Sequence, residues 1–158
     1  KYLWELNRHL HFVTLAQAHA VTAERRYFVA LRQQLESWCT ACPCPLGPNW
    51  SSALESALRL ISWSAAWQLL GGAGGPLLAE PEHADLRARW LRAVYEHASF
   101  VHGYFSLYSS ANNHLIGEAV GFGLGLATYA HWLAPRAVAL EAAWRRRHGF
   151  GNPWGCQP

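Results

Sequence analysis

Helical hydrophobic periodicity covers most of this sequence, and no segment alternates apolar and polar residues for long. Long alternation is typical of a half-buried β-strand, whereas apolar spacings of three and four residues are typical of a helix that buries one face. Lys1 to about Ala20 carries apolar residues on one side, and Thr22 to about Thr40 follows with the same spacing. The residues on the first apolar side are Leu3, Leu6, Leu10 and Val13. These two segments predict a helical hairpin.

Two stretches rich in glycine and proline separate this hairpin from the rest of the chain. Residues 42–50, CPCPLGPNW, hold three prolines and a glycine, which prevent the second helix from continuing. Ser52 with Glu55 matches a capping box, so a third helix is predicted from there to Leu70. The stretch GGAGGP at 71–76 then ends that helix.

The remaining sequence predicts three more helices. We expect helices at about 82–103 and 112–133, and Pro135 suits the first turn of a sixth. Six consecutive helices predict an all-α domain of stacked antiparallel hairpins over residues 1–148. Residues 149–158, GFGNPWGCQP, are predicted to be an irregular tail.

Composition is that of one globular domain. The chain has 158 residues, of which 51% are hydrophobic and 15% charged. The net charge is +3, and the basic residues are scattered apart from residues 145–147, so nucleic-acid binding is not expected. The uncharged run at 119–135 is too short to be expected to span a membrane as a helix. The sequence has no methionine and begins inside a predicted helix, which indicates a fragment of a longer protein.

The cysteines give a weak signal. Cys39, Cys42 and Cys44 cluster at the predicted end of the second helix, and Cys156 is distant. A zinc site would need a second pair of Cys or His ligands at a recognisable spacing, which is missing. Free or buried thiols are therefore expected, with a disulfide as the alternative in an oxidising compartment. No metal or other cofactor is predicted.

Two helix faces carry polar and aromatic side chains that suit a carbohydrate. In the first helix these side chains share one face, opposite the leucines; they are Trp4, Asn7, Arg8 and His11. They provide hydrogen-bond donors, a guanidinium for a carboxylate and a ring to stack on, although a solvated face would look the same. In the third helix, Glu55, Arg59 and Trp63 recur every four residues. A Glu–Arg ion pair beside a packed Trp explains Glu55, and the roles of Arg59 and Trp63 stay open.

The stretch SSANNHLIGEA at 109–119 is the strongest candidate site. Asn112 or Ser110 can cap the helix that begins here, which leaves Asn113 and His114 in its first turn. The positive end of the helix disfavours an imidazolium, so His114 is expected to be neutral and available as a base. Glu118 follows four residues later on the same side and is predicted to orient the imidazole.

Glycines in the same helix predict close packing. Gly117, Gly121 and Gly125 recur every four residues and form a groove into which another helix can fit. The run GFGLG is not a dinucleotide-binding fingerprint, since no strand precedes it.

Three segments together resemble the helical domain of the heparinase II/III-like polysaccharide lyases, which include heparinases and alginate lyases. They are WELNRHLHFVTLA (4–16), GPNWSSALESALRLISW (47–63) and SSANNHLIGEA (109–119). The resemblance implies an incomplete (α/α) toroid whose cleft binds an acidic, uronate-containing polysaccharide. It also implies β-elimination, in which Asn113 hydrogen-bonds the substrate carboxylate and His114 acts as the base or as a second neutralising donor. Substrate contacts are expected from Trp4, Asn7, Arg8, His11, Arg59, Trp63, Asn112 and Glu118.

The sequence departs from this family after the candidate site. The family continues into a segment with a DG dipeptide and a catalytic Tyr, then further hairpins and a β-rich domain, none of which has a counterpart here. Tyr104 and Tyr108 precede the Asn–His pair and do not match that position. We therefore expect a periplasmic or extracellular parent lyase and a fragment with little activity of its own. The alternative is a non-catalytic module for glycan binding or exopolysaccharide assembly.

Overall fold

The all-α class is confirmed. A computed structural model describes residues 2–72, 74–107 and 112–134, with the side chain of Tyr2 excepted, and this part of the chain contains α-helices, two short 3-10 helices and no strand. The α-helices are α1 (Tyr2–Leu6), α2 (Leu10–Thr22), α3 (Arg25–Ala41), α4 (Ala53–Leu69), α5 (Ala84–Gly103) and α6 (Asn113–Leu133). The 3-10 helices are Pro48–Trp50 and Pro81–His83. The predicted sixth helix from Pro135 and the tail at 149–158 lie outside the described residues.

The prediction of one continuous helix from Lys1 to Ala20 is wrong. α1 ends at Leu6, and α2 begins only after His9, whose φ of 57° places it in the left-handed region. The predicted apolar side is also wrong, because Leu3, Leu6 and Leu10 are exposed. The buried positions of α2 are instead Phe12 and Ala16. The break turns the His9 ring inward, where it stacks on Phe12 at 4.5 Å between ring centroids.

The helices form two antiparallel hairpins followed by α6. In the first hairpin, Ala23 adopts a φ of 57° and its N–H donates to the His19 carbonyl, which closes α2 before α3 begins. In the second, the glycines after α4 supply the reversal, with Gly71 at a φ of 88°. The 3-10 turn at Pro81–His83 then leads into α5.

Helix α4 is the centre of the array and packs against α2, α5 and α6. The α5 contacts run antiparallel to α4, because Trp90 meets Trp67 while Phe100 meets Trp50. The α3 contacts run parallel to α5, from Phe28 beside His83 to Trp38 beside His97. Since α2 is the antiparallel partner of α3, α2 and α4 point the same way.

Helix α6 also runs parallel to α4, and its glycines allow the close approach that the sequence predicted. Gly117 lies against Leu54, Gly121 against Ala57, and Gly125 against Leu60. A Cβ at position 121 would stand 2.7 Å from the Ala57 carbonyl carbon, closer than real Cβ atoms come to other atoms. The N-termini of α4 and α6 therefore lie at the same end of the array, whereas α2 begins beside Trp63, in the second half of α4. Closure into a toroid stays a prediction.

The predicted capping box at α4 is wrong, although the helix begins where that signal placed it. Ser52 is the N-cap residue and makes no side-chain capping hydrogen bond. Glu55 does not accept a hydrogen bond from the Ser52 backbone, because its carboxylate pairs with Arg8.

Within the described residues, no helix combines the length and the apolar character needed to cross a membrane.

Candidate functional site

The candidate site lies at the first turn of α6, at the end of the array where α4 also begins. The first backbone N–H groups of a helix have no intrahelical acceptor and carry partial positive charge. At this end of the array, α4 begins after Ser52 and α6 after Asn112. Parallel packing of α4 and α6 puts two positive helix ends on the same side, which favours an anionic group such as a carboxylate.

The first turn of α6 presents the predicted Asn–His pair to solvent. Asn112, Asn113 and His114 are all exposed. Asn112 is the N-cap residue but makes no side-chain capping hydrogen bond, so its amide is not used to close the helix. Ser109 and Ser110 lie outside the described residues. The exposed amides and the imidazole can therefore reach a ligand without displacing a side chain of the described residues.

Glu118 does not orient His114 as predicted. The Glu118 side chain is fully buried, and its two carboxylate oxygens accept hydrogen bonds from the Ser106 backbone N–H and hydroxyl, each at 2.7 Å. No hydrogen bond joins it to His114 in the part of the chain that the structure describes. Glu118 instead attaches the segment after α5 to the second turn of α6. A buried carboxylate with two donors stabilises the local backbone from which the Asn–His turn projects.

Arg8 pairs with Glu55, so the predicted pair between Glu55 and Arg59 is wrong. The Arg8 guanidinium donates to both Glu55 oxygens, from Nε at 2.9 Å and from the terminal nitrogen at 2.8 Å. Glu55 is almost fully buried, and Arg8 is about one-third exposed. The hydrogen bond with Glu55 raises the pKa of Arg8 above its ordinary value. Arg8 therefore already holds a carboxylate from the protein, and a substrate carboxylate would compete with it.

Arg59 is fully buried. Its guanidinium donates to His97 Nε2 at 2.8 Å, to the Asn49 carbonyl at 2.7 Å and to the Ser56 hydroxyl at 3.1 Å. The same group lies 5.0 Å from the Trp38 ring, at cation–π distance. Burial lowers the pKa of Arg59 to about 10, which still leaves it charged near neutral pH. Arg59 therefore positions the loop before α4 and, as described, cannot touch a ligand.

Trp63 is also buried, and its partner is a histidine that the sequence patterns did not single out. The indole Nε1–H donates to His9 Nδ1 at 2.9 Å, and the two rings stack at 5.8 Å. His97 donates from Nδ1 to the Ala93 carbonyl, so its Nε2 is the acceptor for Arg59. Both histidines are neutral in these arrangements. Neither has a spacing that would have revealed its role, although His9 lies within the segment WELNRHLHFVTLA.

The predicted sugar-binding face of the first helix is only partly available. Trp4 is 36% exposed, and its indole donates to the Pro48 carbonyl. Both polar atoms of the Asn7 side-chain amide are already hydrogen-bonded. The oxygen accepts from Trp38, and the nitrogen donates to the Leu3 carbonyl. His11 is exposed. Trp4 and His11 are thus the residues of this set with free surface for a ligand.

Three of the described side chains lie close enough together to bind a metal ion, but the Arg25 guanidinium contacts them. Ligand atoms of Glu80, Glu82 and His83 lie within 4.8 Å of one another. The Arg25 guanidinium contacts Glu82 directly and lies 3.3 Å from His83 Nε2. Arg25 also lies 3.7 Å from Glu80, so both carboxylates have an ion-pair partner within the protein. Cys39, Cys42 and Cys44 form no disulfide with one another.

Comparison with known proteins identifies the domain that carries this site. The family model described as the heparinase II/III N-terminus matches residues 1–129, which include α1 to α5 and most of α6. No curated protein and no solved structure matches the chain significantly. The match includes the exposed Asn–His turn, the Arg8–Glu55 pair and the buried Arg59. The chain therefore belongs to the heparinase II/III N-terminal family, a polysaccharide lyase-related family.

Proposed function

We propose that this chain is the helical domain of a polysaccharide lyase and recognises the carboxylate of a uronate residue where α6 begins. The observation that carries the proposal is the exposure of Asn113 and His114 on the first turn of α6, within the segment that the family model matches. The N-termini of α4 and α6, at the same end of the array, favour an anionic ligand there. The substrate class is an acidic polysaccharide of the heparan sulfate or alginate type.

The proposed reaction is β-elimination at a uronate. A base removes the proton at C5, electrons move to form the C4–C5 double bond, and the glycosidic oxygen leaves from C4 with a proton. The carbanion is accessible only if the adjacent carboxylate is neutralised. The Asn113 amide would donate to that carboxylate, and His114 would accept the C5 proton or act as a second donor.

A buried contact next to the pair supports this assignment. Glu118, one turn after His114, accepts hydrogen bonds from the Ser106 backbone and hydroxyl. Such contacts keep a short turn in one conformation, which electrostatic catalysis requires. We also propose that the protein acts outside the cytoplasm, where polymeric acidic glycans occur.

An elimination assay tests the chemistry. The chain is incubated with alginate, heparan sulfate and related uronates, and the ultraviolet absorbance of the unsaturated product is followed while binding is measured by calorimetry. We expect binding of at least one uronate polymer, at most weak turnover, and loss of that turnover in His114→Ala. His131→Ala is the matched control, because this exposed histidine lies at the other end of α6.

The outcomes separate the candidate functions. A non-catalytic glycan-binding module would bind the polymer without turnover, and His114→Ala would keep most of its affinity. Failure to bind any uronate polymer would contradict both functions, and turnover that survives His114→Ala would contradict the assigned role of His114.

A further inference from the structure

Three thiols line a cleft that is separate from the Asn–His turn. The cleft has a volume of about 890 Å³ and lies between the end of α3, the loop that follows it and the side of α5. Cys39, Cys42 and Cys44 all contribute to its wall, together with Trp38 and Trp50. Half-buried thiols beside an open space of this size can be reached by a small reactant.

The three thiols differ in how readily they can react. Cys44 is 3% exposed and packs among Trp50, Ala53 and Phe100. Burial raises the pKa of Cys39 to about 12, so little of its thiolate is present at neutral pH. Cys42 is only partly buried, and the Asn49 amide donates to its sulfur at 3.2 Å. Cys42 therefore combines accessible surface with a polar contact at its sulfur, which makes it the preferred nucleophile of the three.

The positions of Cys39 and Cys42 suit a disulfide. They lie three residues apart on the last turn of α3, and the Cys42 N–H still donates to the Trp38 carbonyl at 2.8 Å, in the helical pattern. Helix geometry puts such Cα atoms about 5 Å apart. Disulfides span Cα separations of about 4.4–6.8 Å. Cys44 would have to move out of its apolar surroundings before it could compete with Cys39 or Cys42 for a disulfide bond.

We propose that Cys42 is a site of reversible thiol modification by low-molecular-weight disulfides and that Cys39 resolves the adduct. The Cys42 thiol loses its proton to solvent, and its thiolate attacks one sulfur of the disulfide, which releases one thiolate. Cys39 in turn loses its proton to solvent, and its thiolate attacks the Cys42 sulfur of the mixed disulfide and releases the second thiolate. The two released thiolates take up the two protons. The protein is oxidised by two electrons, and the small disulfide is reduced to two thiols. The proposal does not rest on the lyase assignment.

Peptide mapping after treatment with oxidised glutathione tests the proposal. Every protein carries Cys156→Ser, because that residue lies outside the described part of the chain. We expect the folded protein to lose two hydrogen atoms and retain no glutathione, and alkylation after unfolding should then label Cys44. In Cys39→Ser the glutathione adduct should persist on Cys42, and in Cys42→Ser the folded protein should form no adduct. Iodoacetamide should alkylate Cys42 at least about 10-fold faster than Cys39.

Three results would overturn the proposal. A glutathione adduct that persists on Cys42 while Cys39 is present would show that Cys39 does not resolve it. A disulfide that includes Cys44 would show that Cys39 is the wrong partner. Unreactive Cys42 in the folded protein would show that the cleft does not admit the disulfide. Circular dichroism of each variant confirms that reactivity is compared between folded proteins.

Discussion

Glu55 and Glu118 are both buried carboxylates, but they accept hydrogen bonds from different kinds of donor. Glu55 accepts from a guanidinium that lies 47 positions earlier in the sequence, whereas Glu118 accepts from a backbone N–H and a hydroxyl 12 positions earlier. The sequence placed both residues on the correct helices but assigned both partners wrongly. Spacing of four residues indicates that two side chains share a face. It does not show which distant group will fill the space beside them.

At the residue scale, Glu118→Gln tests whether this side chain positions the Asn–His turn. A glutamine keeps the shape but has one acceptor oxygen, so its amide nitrogen would face a Ser106 donor. Leaving a buried donor without an acceptor costs about 1–3 kcal/mol, and we expect a loss of unfolding free energy in this range. Uronate affinity should fall as well. Urea denaturation and calorimetry measure the two effects.

Ser106→Ala disturbs the same contact less than Glu118→Gln does and is therefore compared with it. It removes the hydroxyl donor and keeps the backbone N–H, so the expected loss is about 1 kcal/mol. If both variants keep the stability and the uronate affinity of the wild type, Glu118 does not position the turn.

At the scale of whole helices, local signals predicted the bounds well where glycine or proline ends a segment. α5 and α6 begin and end within about two residues of the predicted positions. The break at His9 was missed because its cause is tertiary: Arg8 reaches Glu55, and His9 accepts from Trp63. The contacts that favour this turn come from α4, far away in the sequence. No pattern within residues 1–20 carries that information.

The glycine stripe of α6 gives a prediction with an internal control. Gly121→Ala places a Cβ against the Ala57 backbone, which cannot yield as a flexible side chain would. Overpacking of this kind costs about 1–3 kcal/mol of unfolding free energy. Gly123 lies on the same helix, and a Cβ added there would meet no other atom within 4 Å. Gly123→Ala should therefore stabilise the protein by about 0.5–1 kcal/mol.

Thermal and urea unfolding of the two alanine variants decide this point. Equal effects at positions 121 and 123 would contradict the close parallel packing of α6 on α4. Weaker uronate binding by Gly121→Ala alone would further link that packing to the position of the Asn–His turn.

At the scale of the whole molecule, neutral histidines are built into a core that also holds a charged arginine. Burial lowers the pKa of His9 to about 3, with a further contribution from the Arg59 charge. Burial and Arg59 also lower the pKa of His97 well below its ordinary value. The family resemblance pointed to this domain, but composition and spacing did not predict that its centre would combine Arg59, two histidines and three tryptophans.

Stability should therefore fall on acidification. Both histidines bind protons more readily in the unfolded chain, so their contribution is fully present above about pH 6.5 and is lost as the pH falls towards the folded pKa values. Glu96 acts in the opposite direction, because burial raises its pKa. We expect the free energy of unfolding to decrease by about 2–4 kcal/mol between pH 7 and pH 5. Urea denaturation across this range measures it, and a flat profile would contradict the buried neutral histidines.

The central claim is that the first turn of α6 recognises a uronate carboxylate, and paired ligands test it most directly. Calorimetry compares a uronate oligosaccharide with its carboxyl-reduced counterpart, for the wild type, Asn113→Ala, His114→Ala and the control His131→Ala. Loss of a hydrogen bond to a charged group predicts binding about 10- to 100-fold weaker for the first two variants, with the acidic ligand only. If the wild type binds both ligands equally, or if Asn113→Ala and His114→Ala bind the acidic ligand as tightly as His131→Ala, the claim is wrong.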